Sequence, residues 1–288
     1  MKTPDFLVIG AQKSGTTTLF SLLRRHPQIY LPPQKEVQFF SNDNLYEKGM
    51  DWYCSENFGS LSAHEIAGEI SPQYLLYEKV PKRIAKDLPN VKLIAILRHP
   101  LERSYSHYLM SRRRGQESRG FREAFEDSVR YFRDGKPILE AEAYYQNSNY
   151  AEALQKYIEL FGGEKILILF QEQLDKSPID VLYKIYSFLG VDAIYPDNIG
   201  VRLHQAGKVR YPWLNDVLGG KSYAKSFIKL LVPWRIRSAV RFWVEQKNIT
   251  NFQFEPIDTQ IFEDYNWIVA EQKEFLKENF YLEAPWEL

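Results

Sequence analysis

The chain has 288 residues, 44% hydrophobic and 26% charged, which suits one large α/β domain or two small ones and excludes a disordered chain. Lysine plus arginine equals aspartate plus glutamate, 37 each, so no global basic field draws the chain to nucleic acid or to an anionic membrane, and an anionic ligand must be held by local groups. The single cysteine, Cys54, excludes an internal disulfide framework, and neither a signal-like start nor a 20-residue apolar run is visible, so the expectation is a cytoplasmic chain without a transmembrane segment.

Phe6 to Ile9 is a short apolar run closed by Gly10 and predicts a buried strand. Thr16 to Arg25 predicts a helix with Leu19, Leu22 and Leu23 on one face, stopped by His26-Pro27. Ile66 to Ile70 reads as a short strand, Val80 to Leu88 as a helix, and Val91 to Leu97 as the clearest strand of the chain, followed by a helix from about Leu101. Residues 111 to 145 are charged and predict helices outside the sheet. Tyr150 to Phe161 reads as a helix, Lys165 to Phe170 as a strand, and Pro178 to Leu189 as a helix ending at Gly190. Strands alternating with helices predict an α/β fold, a single domain over residues 1–288 with a central parallel sheet flanked by helices. Residues 219–288 read as a helical extension of that domain. Within it, 219 to 247 mixes six basic residues with Phe227, Trp234 and Trp243, the pattern of an amphipathic helix that packs on the domain or meets a membrane or acceptor.

Two segments carry chemistry. Gly10-Ala-Gln-Lys13-Ser14-Gly15-Thr16-Thr17-Thr18 lies between the first strand and the first helix. Glycines allow a tight turn there, successive N–H groups and the helix N-terminus can hold an anion, and the hydroxyls and Lys13 add donors and charge. This is a P-loop-like phosphate-binding loop, but Lys13 precedes Gly15, so it fails the nucleoside triphosphatase pattern. The second segment is Arg98-His-Pro-Leu-Glu-Arg103-Ser-Tyr-Ser106. Arg98 follows a buried strand and Ser106 lies in the next helix, where both can meet one phosphate outside the carboxyl ends of the strands. An arginine there, in place of an acidic metal ligand, favours an anion held without a metal.

Together these segments resemble the PAPS-dependent sulfotransferases, which use 3′-phosphoadenosine 5′-phosphosulfate (PAPS) and release PAP. The likeness is to the branch that includes the heparan sulfate enzymes and many bacterial relatives, and it covers most of residues 5 to 215. It implies that Lys13, Ser14, Gly15, Thr16, Thr17 and Thr18 hold the 5′-phosphosulfate and that Arg98 and Ser106 hold the 3′-phosphate. Lys35-Glu36-Val-Gln38-Phe39-Phe40 resembles the segment with the family's catalytic base, which implies that role for Glu36. Glu69-Ile-Ser71-Pro72-Gln-Tyr74 resembles a further family segment, in which heparan sulfate enzymes carry Lys where this chain has Ile70. That departure leaves Lys13 as the main cation beside the sulfuryl group. His204-Gln-Ala-Gly207-Lys208-Val-Arg210 resembles the late basic loop that closes over the cofactor; for Lys208 a solvated basic turn, and for His204 a structural histidine, stand as the other readings.

The resemblance implies an in-line displacement at sulfur, with Glu36 taking the acceptor proton and Lys13 and the loop amides stabilising the departing phosphate. No metal is expected, because the five histidines and one cysteine show no ligand spacing. Zero net charge and Ile70 point to a small or lipid-like alcohol or amine, with Gln38, Phe39, Tyr74, Tyr150 and His204 as candidate acceptor contacts. Aromatics, 15% of the chain, serve either that pocket or the core. A glycan sulfotransferase, a small-molecule kinase and a non-catalytic PAP-binding protein are the rival readings. Oligomeric state is not legible in the sequence.

Overall fold

The computed structural model describes residues 2–59, 66–196, 208–209, 249–250 and 257–287. Strand β1 (Phe6–Gly10) is buried at every position, as an uninterrupted apolar run with helices on both sides must be. Helix α1 (Thr16–Leu23) follows and buries Leu19, Leu22 and Leu23. Next come β2 (Ile29–Tyr30), α2 (Asp43–Tyr46), α3 (Gly49–Phe58), β3 (Ile66–Ile70) and a 3₁₀ turn over Pro72–Leu75. Helix α4 (Lys79–Asp87) leads into β4 (Lys92–Leu97), α5 (Pro100–Arg113), α6 (Phe121–Arg133) and α7 (Tyr150–Phe161). Then follow β5 (Ile166–Phe170), α8 (Gln171–Lys176) and α9 (Pro178–Leu189). Helix α9 ends on Gly190 at φ 79°, a left-handed stop open to glycine. Two-residue strands β6 (Lys208–Val209) and β7 (Ile249–Thr250) pair antiparallel apart from the main sheet. Helices α10 (Gln260–Asp264) and α11 (Asn266–Phe280) complete the described chain.

The main sheet is parallel throughout, in the order β2-β3-β1-β4-β5. Phe6 lies opposite Gly68 and Lys92, and Val8 opposite Ile70 and Ile94; β4 and β5 run in register from Leu93–Ile166 to Leu97–Phe170. The chain leaves β1 toward one edge and returns on its other side as β4, so the order reverses at β1. The crevice beyond the carboxyl end of β1 is where such sheets bind ligands. Gly68 lets the Phe6 ring lie against its backbone: a Cβ there would sit 2.1 Å from ring atom Cζ.

Side chains alternate between two cores. One, on the α1 and α9 face, holds Phe6, Val8, Ile70, Ile94 and Ile96. The other holds Leu7, Ile9, Leu93, Ala95 and Leu97 with the aromatic groups of α3, α7 and the 38–40 segment. Trp286 packs where β5 ends and α7 begins, meeting Tyr150, Phe170 and His99 with ring centroids 5.5–6.4 Å apart. Among the described residues no helix is long and apolar enough to cross a membrane. The basic amphipathic stretch 219–247 lies outside the described residues.

Candidate active site

The loop between β1 and α1 is anchored at its start, where Ala11 N–H donates to the Ile96 carbonyl of β4 (2.7 Å). Lys13 then takes φ 73° and Gly15 φ 89°, left-handed values that turn successive amides toward one side. Gly15 caps α1, which has no side-chain cap and no acid in its first turn, so the amides of that turn face the crevice with the positive end of the helix dipole. Ser14 is fully buried and its Oγ has no well-formed hydrogen bond among the described residues. This donor set suits phosphate oxygens.

The electrostatics agree. Burial first, then Arg113, Arg114, Arg98 and Arg103, lower the Lys13 ammonium to about 8. Arg103 of α5 is fully buried with no carboxylate among its partners in the described residues: Nη1 donates to the Gln12 carbonyl (3.5 Å), Nη2 to the Tyr144 carbonyl (2.7 Å) and Nε to Ser148 Oγ. Burial lowers its pKa to about 10, and burial with the neighbouring cations pushes His107 to about 2, leaving that imidazole neutral. Several positive charges thus converge below the loop, an arrangement that an anion relieves.

Arg98 is the first residue past β4. Its carbonyl accepts the Tyr150 hydroxyl (2.8 Å), and the next amide, of His99, donates to Glu172 Oε1 (2.8 Å), which fixes the strand end. The Arg98 guanidinium lies on Glu102 Oε2 (2.9 and 3.2 Å), an i,i+4 pair on the first turn of α5. Ser106 is half-buried about two turns further along the same helix.

Glu36 lies on the segment that follows β2, close to the end of β3: its N–H donates to the Ile70 carbonyl (3.1 Å). One carboxylate oxygen pairs with Lys35 and the other accepts from Gln73 Nε2 (3.3 Å). Gln73 also lines a narrow cleft with Ala11, Gln12, Asn147 and Tyr150, so Glu36 is one hydrogen bond away from a cleft that the start of the loop before α1 lines. On the far side of Gln73 a hollow of about 340 Å³ is lined by Gln38, Ser41, Asn42, Asp43, Tyr77 and Glu140. Among the described residues no group of three His, Cys, Asp or Glu is placed to hold a metal ion.

The comparisons with known proteins point one way. The sulfotransferase domain family matches residues 3–199. The chain belongs to the sulfotransferase family. A mouse bifunctional heparan sulfate N-deacetylase/N-sulfotransferase 4 is 35% identical over 201 residues, 67% of this chain and 23% of that protein. A mouse heparan sulfate glucosamine 3-O-sulfotransferase 5 is 29% identical over 196 residues, 65% of this chain and 54% of the relative. The crystal structure of a sulfotransferase from Alicyclobacillus acidocaldarius superposes with a TM-score of 0.60 at 27% identity, covering 71% of this chain and 87% of the other. The chain spans about a quarter of the length of the first of these relatives.

In this member of the family the residues singled out from sequence fall in different places. Lys13 to Thr18 form the loop before α1 and its first turn, Arg98 stands just past β4, Glu36 bonds Gln73 of the narrow cleft, and Gln38 lines the hollow that shares Gln73 with it. Phe39 and Tyr74 instead fill the core: both are fully buried, with Phe39 stacked on Tyr53 (4.3 Å between centroids). Phe40, Tyr144 and Tyr145 are buried too, so these rings offer no apolar wall to an acceptor. Tyr150 lines the narrow cleft but its hydroxyl is committed to Arg98. His204, Arg210 and the Lys208 side chain lie outside the described residues. Sequence reasoning missed Arg103, Lys35, Gln73 and Glu69. Only Glu69 carried a signal, as the charged residue in an otherwise apolar or small strand, Ile66–Ile70.

Proposed function

We propose that the chain transfers a sulfuryl group from PAPS to a hydroxyl or amine of a polar, sugar-like acceptor. The observation that carries the reading is an anion-receptive loop, Lys13 to Thr18 amid Arg98 and Arg103, next to a carboxylate, Glu36, whose partner Gln73 shares a cleft with Gln12 of that loop. The loop amides, Ser14 Oγ and Lys13 would hold the 5′ phosphosulfate, and Arg98 and Ser106 the 3′-phosphate. PAPS supplies an electrophilic sulfuryl group and a phosphate leaving group. Glu36 accepts the proton of the acceptor O–H or N–H, and Lys13 with the amides of α1 stabilises negative charge that builds on the departing phosphate. Arg103 and the partners of Arg98 keep these cations in place. Transfer by this route needs no metal.

The acceptor reading rests on the hollow beside Glu36. Its walls are amides, hydroxyls and carboxylates, which match a polyhydroxylated molecule better than the lipid-like one that the aromatic content suggested. The names of the heparan sulfate relatives support a glycan. The test is Glu36→Gln. It should keep PAP affinity and lose about 10²-fold or more in turnover, the range of a general base. Turnover near that of the unmodified chain would remove Glu36 from the chemistry.

A further inference from the structure

The position of Glu36, taken as the base, is itself held by something. Four non-glycine residues among those described have positive φ: Lys13, Glu36, Gln38 and Tyr281. Glu36 (64°) and Gln38 (61°) sit two residues apart in left-handed conformations that side chains disfavour, so their surroundings must over-determine them. The restraints are explicit. Gln38 N–H donates to Ser71 Oγ (3.1 Å) and Phe40 N–H to the Tyr74 hydroxyl (3.3 Å). Both hydroxyls donate onward to one atom, Glu69 Oε1, and the Tyr53 hydroxyl donates to Glu69 Oε2.

Glu69 is on β3 and 1% exposed; its side-chain partners are these three hydroxyls, with no cation among the described residues. A buried carboxylate without a cation is expensive, and an apolar side chain would fill the same space without that penalty. What the carboxylate adds is direction. Burial raises the Glu69 carboxyl pKa while the hydrogen bonds from Ser71, Tyr53 and Tyr74 favour its ionised form, which only accepts and so commits the Ser71 and Tyr74 protons inward and turns their lone pairs toward the amides of Gln38 and Phe40. The backbone on either side of Val37 is held at three points: Glu36 by the Ile70 carbonyl at the end of β3 and, through the hydroxyls that Glu69 orients, Gln38 by Ser71 and Phe40 by Tyr74.

We propose that Glu69 is a positioning residue for sulfuryl transfer, acting through the Ser71 and Tyr74 hydroxyls to hold residues 36–40 in the conformation that aims the Glu36 carboxylate at the acceptor. Glu69 touches no substrate in this scheme. The proposal rests on Glu36 being the base, and its test separates the two ideas.

The variants are Ser71→Ala, Tyr74→Phe, Glu69→Gln and Glu36→Gln, with Glu36→Gln combined with Ser71→Ala as a double. Glu69→Gln fills the same space but places an NH2 donor where the carboxylate accepts, so it removes the acceptor-only character without opening a cavity. Turnover of labelled PAPS is measured on the best acceptor from a panel of heparan-type oligosaccharides, alcohols and amines, with PAP affinity by calorimetry alongside. Ser71→Ala and Tyr74→Phe should each lower kcat about tenfold, short of the ~10²-fold that a full ångström of misplacement can cost. PAP affinity should stay within about twofold, and Glu69→Gln, which can no longer accept from all three hydroxyls, should lower kcat by about threefold or more. The double variant should be no slower than Glu36→Gln alone, because a clamp on an absent base has nothing left to align; a merely structural role would add its own loss. Unchanged kcat in Ser71→Ala and Tyr74→Phe, an additive double variant, or PAP affinity falling in step with kcat would each overturn the positioning role. If Glu36→Gln itself turns over normally, the base assignment fails and the clamp with it. If Glu36→Gln is slow and the hydroxyl variants are fast, only the clamp fails.

Discussion

The charge on Lys13 gives the most quantitative test of the binding site. Burial and four nearby guanidinium groups lower its ammonium from 10.5 to about 8 in the ligand-free chain. PAP brings phosphates that favour the charged form, so binding should restore the ordinary value and take up a proton wherever the free lysine has lost it. At pH 7 about nine free molecules in ten carry the ammonium, and at pH 9 about one in eleven, so affinity should fall about tenfold, or ~1.4 kcal/mol, across that window. Calorimetry at constant ionic strength, in buffers of different ionisation enthalpy, reads both quantities. Proton uptake should rise from about a tenth of a proton at pH 7 to about nine tenths at pH 9. Lys13→Met should abolish both trends. Stability of the free chain should move the other way. The folded state binds fewer protons than the unfolded state between about 8 and 10.5, so the penalty is full below that window and is relieved as pH rises through it. Affinity that is flat from pH 7 to 9, or proton release on binding, would refute the reasoning.

Arg98→Ala should weaken PAP binding by about 1.5–3 kcal/mol, the scale of a hydrogen bond to a charged group, and calorimetry showing a negligible change would remove Arg98 from the site. Glu102→Gln frees the Arg98 guanidinium from an exposed i,i+4 pair and should tighten PAP by no more than about 0.5 kcal/mol in the same assay. PAP affinity measured with EDTA should equal that measured without it, and loss of binding on chelation would overturn metal-free recognition. Gly68→Ala drives a methyl into the fully buried Phe6 ring and should lower stability by about 1–3 kcal/mol in urea unfolding; an unchanged midpoint would show that β1 and β3 can part there.

The framework was legible because its signals are local. Apolar runs bounded by Gly or Pro marked β1, β3, β4 and β5, and the stops at His26-Pro27 and Gly190 marked the ends of α1 and α9. Tyr150–Phe161 and Pro178–Leu189 are helices over the predicted spans. Two-residue β2 and the short helices α2 and α8 were not legible, since four or six residues carry no period and depend on neighbours for their stability. Helix α11 falls within the stretch read as a helical extension, but its bounds were not legible, because its pattern serves two contacts: Ile268, Val269 and Leu276 lie in the core while Gln272 caps the start of α7 through the Ala151 amide.

Site residues followed the same division. The loop at Lys13 and the strand end at Arg98 were readable because glycine, lysine and arginine at those places have a mechanical meaning. The rings of Phe39, Phe40 and Tyr74 were not, because a pattern of aromatics reads alike for a pocket wall and for a core. Arg103 lay beyond reach for a physical reason: its importance comes from burial, and burial of a charge is a property of the folded chain alone, whereas Glu69 showed only as the one charge in an apolar or small strand.

The central claim is sulfuryl transfer itself, and incubation of the purified chain with PAPS labelled in the sulfuryl group, across a panel of heparan-type oligosaccharides, hydrophobic alcohols and amines, tests it most directly. The account predicts saturable movement of label to a polar, hydroxyl- or amine-rich acceptor with one PAP released per label transferred. Tight PAP binding with no release of PAP from PAPS on any acceptor, under conditions where the chain is folded, would contradict it and leave a binding protein in place of an enzyme.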